Sequence, residues 1–425
     1  MMVLQRMKTN RTAIRKSFVL GLCLLLTPFA FAAIDMQAHV ASDEGKDAYT
    51  DYTSKQTAYY TGSWSFDVLY NLQGDALFGE LNALMGRTCR IAGSDFSYGS
   101  LRKNYVKVDR DLNAQGKIIG YYDGQQMNGA WGSGYNREHT WPQSKGANKS
   151  IPMGHDMQSV RPTSTSVNSE RGNTAYGEGS SYYDPDDVEI DNSAYKSVNM
   201  GTYRGDAARV ILYDYIVYGE AGGHKSSLYN GNAQLLSKLG GKGVFESLRV
   251  LLKWHMQDPP SLTEMVRNDG AQDYQGNRNP FIDYPELAIQ MLRNNSNLTT
   301  YEVSYRIKET ASPRYQYTLT DGFVTYLTAA NGTHPEQVSV TGGQAQYDAT
   351  LGRLIVKNIT GNLTITTDTA TSTEIIATDA AITIYTIMGV KACETTEGEL
   401  HNALQQLGAG TYILRQGNNS RKVVR

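Results

Sequence analysis

The stretch Tyr135-Asn136-Arg137-Glu138-His139-Thr140-Trp141-Pro142-Gln143-Ser144 decides the reading of this chain. A guanidinium that never loses its charge, a carboxylate and an imidazole stand in succession, ahead of a Trp-Pro pair at which regular structure must stop. An imidazole changes charge near neutral pH, so His139 is the candidate general base that takes a proton from water. Glu138 is the candidate ligand of a hard divalent ion such as Mg²⁺, which prefers oxygen donors and keeps several waters. Neighbouring side chains on a strand point to opposite faces. Glu138 and His139 therefore serve one site only if the strand ends or bulges there, and Trp141-Pro142 supplies a reason for it to end.

Further along come Arg161-Pro162-Thr163 and Val167-Asn168-Ser169-Glu170-Arg171-Gly172-Asn173. Asn168 offers a neutral amide oxygen as second ligand, on a segment that can start a helix after Pro162 and Thr163. Alone, an asparagine there is as well explained as a cap or turn residue. Arg137, Arg161 and Arg171 are candidates to grip phosphate oxygens through paired N–H groups, although each taken singly is an ordinary solvated charge. The stretch Gln275 to Asp283 is dense in donors and turn formers; it reads either as an ordered loop with a helix cap or as a place where Asn277 or Arg278 meets the substrate phosphate. His155-Asp156 suggests zinc together with His139. No HExxH or CxxC pattern accompanies it, so a structural or supporting role is expected instead.

The chain has 425 residues and a formal net charge of -2, a length that predicts two or three domains. Residues 1–32 carry a basic start (Arg6, Lys8, Arg11, Arg15, Lys16), an apolar run from Phe18 to Leu26 and a small-x-small end at Ala30-Phe31-Ala32. That is the pattern of a secretory signal peptide, with an apolar run too short to span a bilayer. Removing it takes away five positive charges and moves the formal charge from -2 to -2 - 5 = -7. An acidic secreted protein has no bulk attraction to nucleic acid, so phosphate binding must come from local arginines. Cys89 and Cys393 remain, in different domains, and no disulfide framework is expected.

The region 33–303 reads as one α+β domain. Helical patterns cover 64–86, with Gly86 as the stop, then Asp206 to Tyr218 and Phe245 to Met256. A capping box at Ser261-Leu262-Thr263-Glu264 opens another helix, and Asp283 is expected to cap a last one through Leu292. Residues 105–123 alternate like strands around a turn at Asn113-Ala114-Gln115-Gly116. Residues 304–370 read as a small β domain, with Leu354/Val356 and Leu363/Ile365 alternating around Thr360-Gly361-Asn362. A Thr/Ala/Asp-rich linker leads to a β-rich unit over 371–425.

At the residues quoted the chain resembles the bacterial endonuclease I family, secreted or periplasmic nucleases with a ββα-metal core. The resemblance runs over about 55–295 in ordered motifs: Tyr59-Tyr60, Leu72-Gln73-Gly74, Asn136 to Ser144, Arg161 to Thr163, Val167-Asn168, Arg171 to Asn173 with Gly177, Gly205 to Arg209, Trp254-His255 with Asp258-Pro259, and Gln275 to Asp283. It implies that His139 is the base, with Arg137 beside it in the catalytic set. Glu138 and Asn168 would hold one Mg²⁺-like ion (Mn²⁺ and Ca²⁺ being alternatives), and Arg161, Arg171, Asn173 and Arg278 would serve the substrate. It further implies cleavage of DNA, and of RNA too, with little sequence preference and 5′-phosphate products. Many relatives have a histidine or asparagine pair after the aspartate where this chain has Met157-Gln158-Ser159, and disulfides of some relatives cannot form here. The last unit resembles the C-terminal sorting domain of the type IX secretion system, through Ile382-Thr383-Ile384-Tyr385, Gly389 and Leu407-Gly408-Ala409-Gly410-Thr411-Tyr412.

The expectation is a secreted or surface-attached monomeric endonuclease. Its ββα-metal core would be embedded in a mostly helical domain and followed by all-β modules. The alternative is a surface binding or adhesion protein that carries a relic nuclease domain.

Overall fold

The computed structural model describes residues 43–122, 124–178, 189–190, 197–199, 203–229, 231, 243–307, 315–327, 334–367, 381–386, 391–396, 400–407, 411–416 and 419–424. The expected signal peptide lies outside them, as do Gly389 and Gly408 to Gly410. Among the described residues the chain is mixed α+β, with many helices and several small sheets, and no helix is long and apolar enough to cross a membrane.

The helical part is organised around α4 (Arg204–Tyr218), which is preceded by α1 (Asp43–Tyr59), α2 (Gly74–Thr88) and α3 (Thr165–Arg171) and followed by α5 (Leu248–Gln257), α6 (Leu262–Gln275) and α7 (Leu287–Leu292). The apolar residues of α4 repeat at helical spacing, but the structure buries almost every side of it, Arg209 and Asp214 included. An all-round buried helix is the core itself rather than a face laid upon it. Of its charges, Arg209 forks onto Glu264 of α6 through Nε and Nη2 at 2.8 and 2.5 Å, while Asp214 accepts the Ser159 hydroxyl. The capping box Ser261/Glu264 forms as expected.

Several expectations are corrected. The single helix over 64–86 is broken: Phe66–Tyr70 is a short helix, Gln73 is extended and α2 restarts at Gly74, whose φ of 54° favours glycine. The helix then runs past Gly86 to Thr88, because Gly86 is a place of close approach: a β-carbon there would lie 3.1 Å from Ser226 Cβ. Residues Tyr105–Val108 are a helical turn, not a strand. The expected turn at 113–116 holds, with Gly116 at φ 75°, and leads into β1 (Lys117–Ile119), which pairs antiparallel with β2 (Gln126–Asn128). Asp283 does not cap α7; its carboxylate receives Arg278 and the Tyr60 hydroxyl instead.

The element that positions the site is an antiparallel pair, β3 (Tyr135–His139) and β4 (Val160–Ser164), followed at once by α3. Ser164 ends β4 and caps α3 by accepting the Val167 N–H, and Gly172 closes the helix at φ 55°. Pro162 sits in β4 without an N–H, and its free carbonyl accepts Tyr121 N at 2.9 Å, which seats Tyr121 and Tyr122 beside the pair.

Beyond Asn295, β5 (Thr300–Arg306), β6 (Tyr317–Leu319), β7 (Phe323–Tyr326), β8 (Val338–Thr341), β9 (Gln344–Asp348), β10 (Arg353–Lys357) and β11 (Leu363–Thr367) form two sheets, ordered β6-β5-β11-β8 and β7-β10-β9. Leu354, Val356, Leu363 and Ile365 are buried in alternation, as their spacing predicts. They share one continuous apolar cluster with α4 and α5, and the expected boundary at 303 falls inside β5, which starts at Thr300. The strands Ile382–Thr386, Lys391–Thr395, Thr411–Gln416 and Asn419–Val424 form a further sheet, and with the helix Leu400–Gln406 they have their own cluster, Ile382, Ile384, Leu400 and Leu414. Cys89 and Cys393 are both free thiols.

Candidate active site

The quoted stretch forms β3 and the turn that follows it. The register β3/β4 is unbroken from Tyr135↔Ser164 to His139↔Val160, so no bulge turns Glu138 and His139 to one side. The strand ends at His139, and the partners of the two residues show that their side chains leave opposite faces.

On one face lie Asn136, Glu138 and, directly across from Glu138, Arg161. The helix α3 covers this face. Its residues Asn168 and Arg171 are three apart and therefore neighbours on one side of the helix, while Asn136 and Glu138 are two apart and share one side of the strand. The two pairs meet. Asn168 Nδ2 donates to Asn136 Oδ1 at 2.5 Å, and Arg171 Nη1 donates to Glu138 Oε1 at 2.6 Å. Arg171 also donates to the carbonyls of His139, Thr140 and Thr174. The Tyr122 hydroxyl donates to the same Glu138 Oε1 at 2.5 Å. Oε1 is thus held twice, whereas no hydrogen bond among the described residues reaches Glu138 Oε2 or Asn168 Oδ1. Burial lifts the Glu138 carboxyl above its usual range, against the opposing pull of Arg171 and Tyr122.

On the other face His139 Nε2 bonds the carbonyl of Gly154 at 3.0 Å. A carbonyl only accepts, so Nε2 carries the proton of the neutral ring and Nδ1 keeps a lone pair. The turn after Pro142 brings Gln143 back beneath the ring, its amide 3.4 Å from Nδ1. Gly154 can approach because it lacks a side chain: a β-carbon there would lie 2.0 Å from Asn148 O. Burial pushes the imidazole down to about 4, helped by the charges of Arg137 and Arg171 and opposed by the bond to Gly154. His139 is therefore uncharged at neutral pH. The Tyr98 ring stacks on it at 5.3 Å, and Arg137 lies over Tyr98 at 3.5 Å.

The other candidates separate clearly. Arg161 is 8% exposed, lies over Tyr121 at 4.7 Å and sits 3.5 Å from Asp109; its Nε is buried without a hydrogen-bond partner. Asn173 is exposed and reaches Ser144 Oγ. Two expectations are corrected. Arg171 is 1% exposed and commits its donors to Glu138 and three carbonyls, so it is the clamp of the site and not a grip for phosphate. Arg278 is 0% exposed and forks onto Asp283 with a third contact to Asp269, and Asn277 binds the Tyr213 hydroxyl. The whole stretch Gln275 to Asp283 is scaffold. Asp156 is scaffold too, receiving Tyr213, Tyr218 and Gln275. Among the described residues no group of three or more His, Cys, Asp or Glu side chains gathers to hold a metal.

Sequence reading missed Tyr122, Tyr98 and Gly154. Tyr122 follows another tyrosine in a turn, and no local pattern says that its hydroxyl ends on a carboxylate sixteen residues away.

A profile of the family described as Endonuclease I matches residues 87–286, a range that contains every residue of this site. An extracellular ribonuclease of Bacillus amyloliquefaciens is 32% identical over 214 residues, covering 46% of this chain and 68% of that protein. An extracellular ribonuclease of Bacillus subtilis (strain 168) is 31% identical over 211 residues, with the same shares of 46% and 68%. The chain is a nuclease and belongs to the endonuclease I family.

Proposed function

We propose that the protein is a secreted, divalent-metal-dependent endonuclease that hydrolyses phosphodiester bonds in RNA and DNA with little sequence preference. The observation that carries this reading is His139: a neutral imidazole whose Nε2 is fixed on a carbonyl and whose Nδ1 is left as a base at the end of β3. The two Bacillus relatives, both named extracellular ribonucleases, support secretion and a nucleic-acid substrate.

The proposed position of the scissile phosphate is the end of β3, where the two faces meet. His139 Nδ1 takes a proton from the attacking water as its oxygen bonds to phosphorus; the bond to the 3′ oxygen breaks and leaves a 5′-phosphate. Arg161 holds a non-bridging oxygen, and Arg137 and Asn173 contact the neighbouring backbone. Such contacts position a substrate without reading bases. Nucleases of this family generally need a divalent ion. The donor set suits a hard ion, with one carboxylate oxygen and one amide oxygen that no hydrogen bond reaches among the described residues. Glu138 and Asn168 would hold Mg²⁺ or a similar ion, which when bound offsets negative charge at the reacting phosphate.

We further propose a nuclease domain from 33 to the start of β5, a β domain to 370 and a C-terminal sorting unit from 371 that directs export by the type IX system, the mature protein acting as a monomer. The test uses full-length mature protein purified in EDTA, on plasmid and total RNA, with and without Mg²⁺, beside His139→Ala. Cleavage that requires both the ion and His139 is the expected result; metal-independent cleavage, or full activity of the variant, overturns the mechanism.

A further inference from the structure

The stack that begins at His139 does not stop at Tyr98. Arg137 lies between two rings, 3.5 Å from the Tyr98 centroid and 4.7 Å from that of Trp131. Trp131 is 39% exposed, while Trp141 and Trp254 are buried. An indole carries a large apolar surface that folding normally covers, yet this one ends a continuous pile His139, Tyr98, Arg137, Trp131 at the surface. The neighbourhood is basic although the chain as a whole is acidic. Arg102, Lys103, Lys107 and Arg110 are exposed, and the one acid between Tyr98 and Arg110, Asp109, is buried against Arg267. Val106, in the middle of that basic segment, is itself exposed and packs on the Trp131 loop: a β-carbon at Gly129 would lie 3.0 Å from it.

An exposed indole beside cations suits a nucleobase over a phosphate backbone. A base inside a duplex already has both faces covered, so only an unpaired base can use it. Resting on the nuclease reading above, we propose that Trp131 is a stacking platform for an unpaired nucleobase next to the scissile phosphate, which makes single-stranded nucleic acid the preferred substrate.

The test has two arms on full-length protein. In EDTA, anisotropy of a labelled oligonucleotide gives the dissociation constant for the single strand and for the duplex of the same sequence. Trp131→Ala should weaken single-strand binding about tenfold, and Trp131→Phe, which keeps a ring, should retain most of it. With Mg²⁺, the ratio of single-strand to duplex kcat/KM should fall about tenfold in Trp131→Ala, through KM rather than kcat. Equal weakening for both substrates, no weakening, or a Phe variant as poor as Ala overturns the proposal. The binding arm decides the platform even if no cleavage is found, and a failed platform leaves cleavage by His139 standing with its strand ratio unchanged.

Discussion

On one face of β3, Glu138 is closed in by Tyr122, Arg171 and the helix α3. On the other, His139 is fixed by Nε2 on the Gly154 carbonyl, with the Gln143 amide 3.4 Å from Nδ1, and continues through Tyr98 and Arg137 to an exposed indole. One face is a clamp that fixes a carboxylate by satisfying one oxygen twice; the other is a pile of planar groups leading to solvent. Two adjacent residues of a regular strand thereby have distinct surroundings. Charge is buried and countered on the face of Glu138, and an uncharged imidazole is kept on the face of His139.

The largest expected effect strikes the His139 face. His139→Ala should lower kcat on RNA and plasmid by about 10²–10⁴-fold with unfolding behaviour preserved; comparable loss of stability would show that the ring is mainly structural. The clamp should respond the other way. Arg171→Ala leaves Glu138 buried and uncompensated, with an expected loss of about 3–5 kcal/mol in chemical denaturation, and Arg171→Lys should not restore it because an ammonium cannot fork to the same partners. Tyr122→Phe is milder: one bond to a charged oxygen is removed, and about 1–3 kcal/mol should be lost, with affinity for the divalent ion altered if Glu138 shifts. An unchanged metal dependence and stability together would break the clamp description.

A control away from both faces gives the smallest effect. Burial lifts the Glu286 carboxyl to about 7, and its Oε2 has no hydrogen-bond partner among the described residues. The folded state then holds a proton that the unfolded chain releases at lower pH, so stability falls as pH rises from the ordinary carboxylate range to about 7. Glu286→Gln should flatten that fall, raising stability at pH 8 by on the order of 1 kcal/mol and changing it little in acid. A variant no more stable at pH 8 than the parent would mean that water or a partner reaches the carboxylate.

Much of the site was legible in the sequence because its parts are local. The run Asn136 to His139, with Trp141-Pro142 to end it, and a helix start after Pro162 and Thr163 say that a strand and a helix carry these groups. The capping box at Ser261 and the alternation at Leu354/Val356 were legible for the same reason: each depends on neighbours a few residues away. The break before Gly74, the helical turn at Tyr105–Val108 and the tasks of Arg171 and Arg278 were not. A sequence shows that an arginine is charged. Whether it meets a phosphate or a buried carboxylate depends on what packs over it from distant segments, as Asp283 and Asp269 do over Arg278.

The sequence by itself determined the chemical inventory of this nuclease, its α+β composition and those elements whose signals are local, since these follow from side-chain chemistry and short-range periodicity. Only the tertiary structure decided which face each group occupies, which oxygen of Glu138 is bonded twice, and that Trp131 ends a stack begun at His139. Those facts depend on long-range packing, in which groups far apart in the chain compete for the same few buried partners.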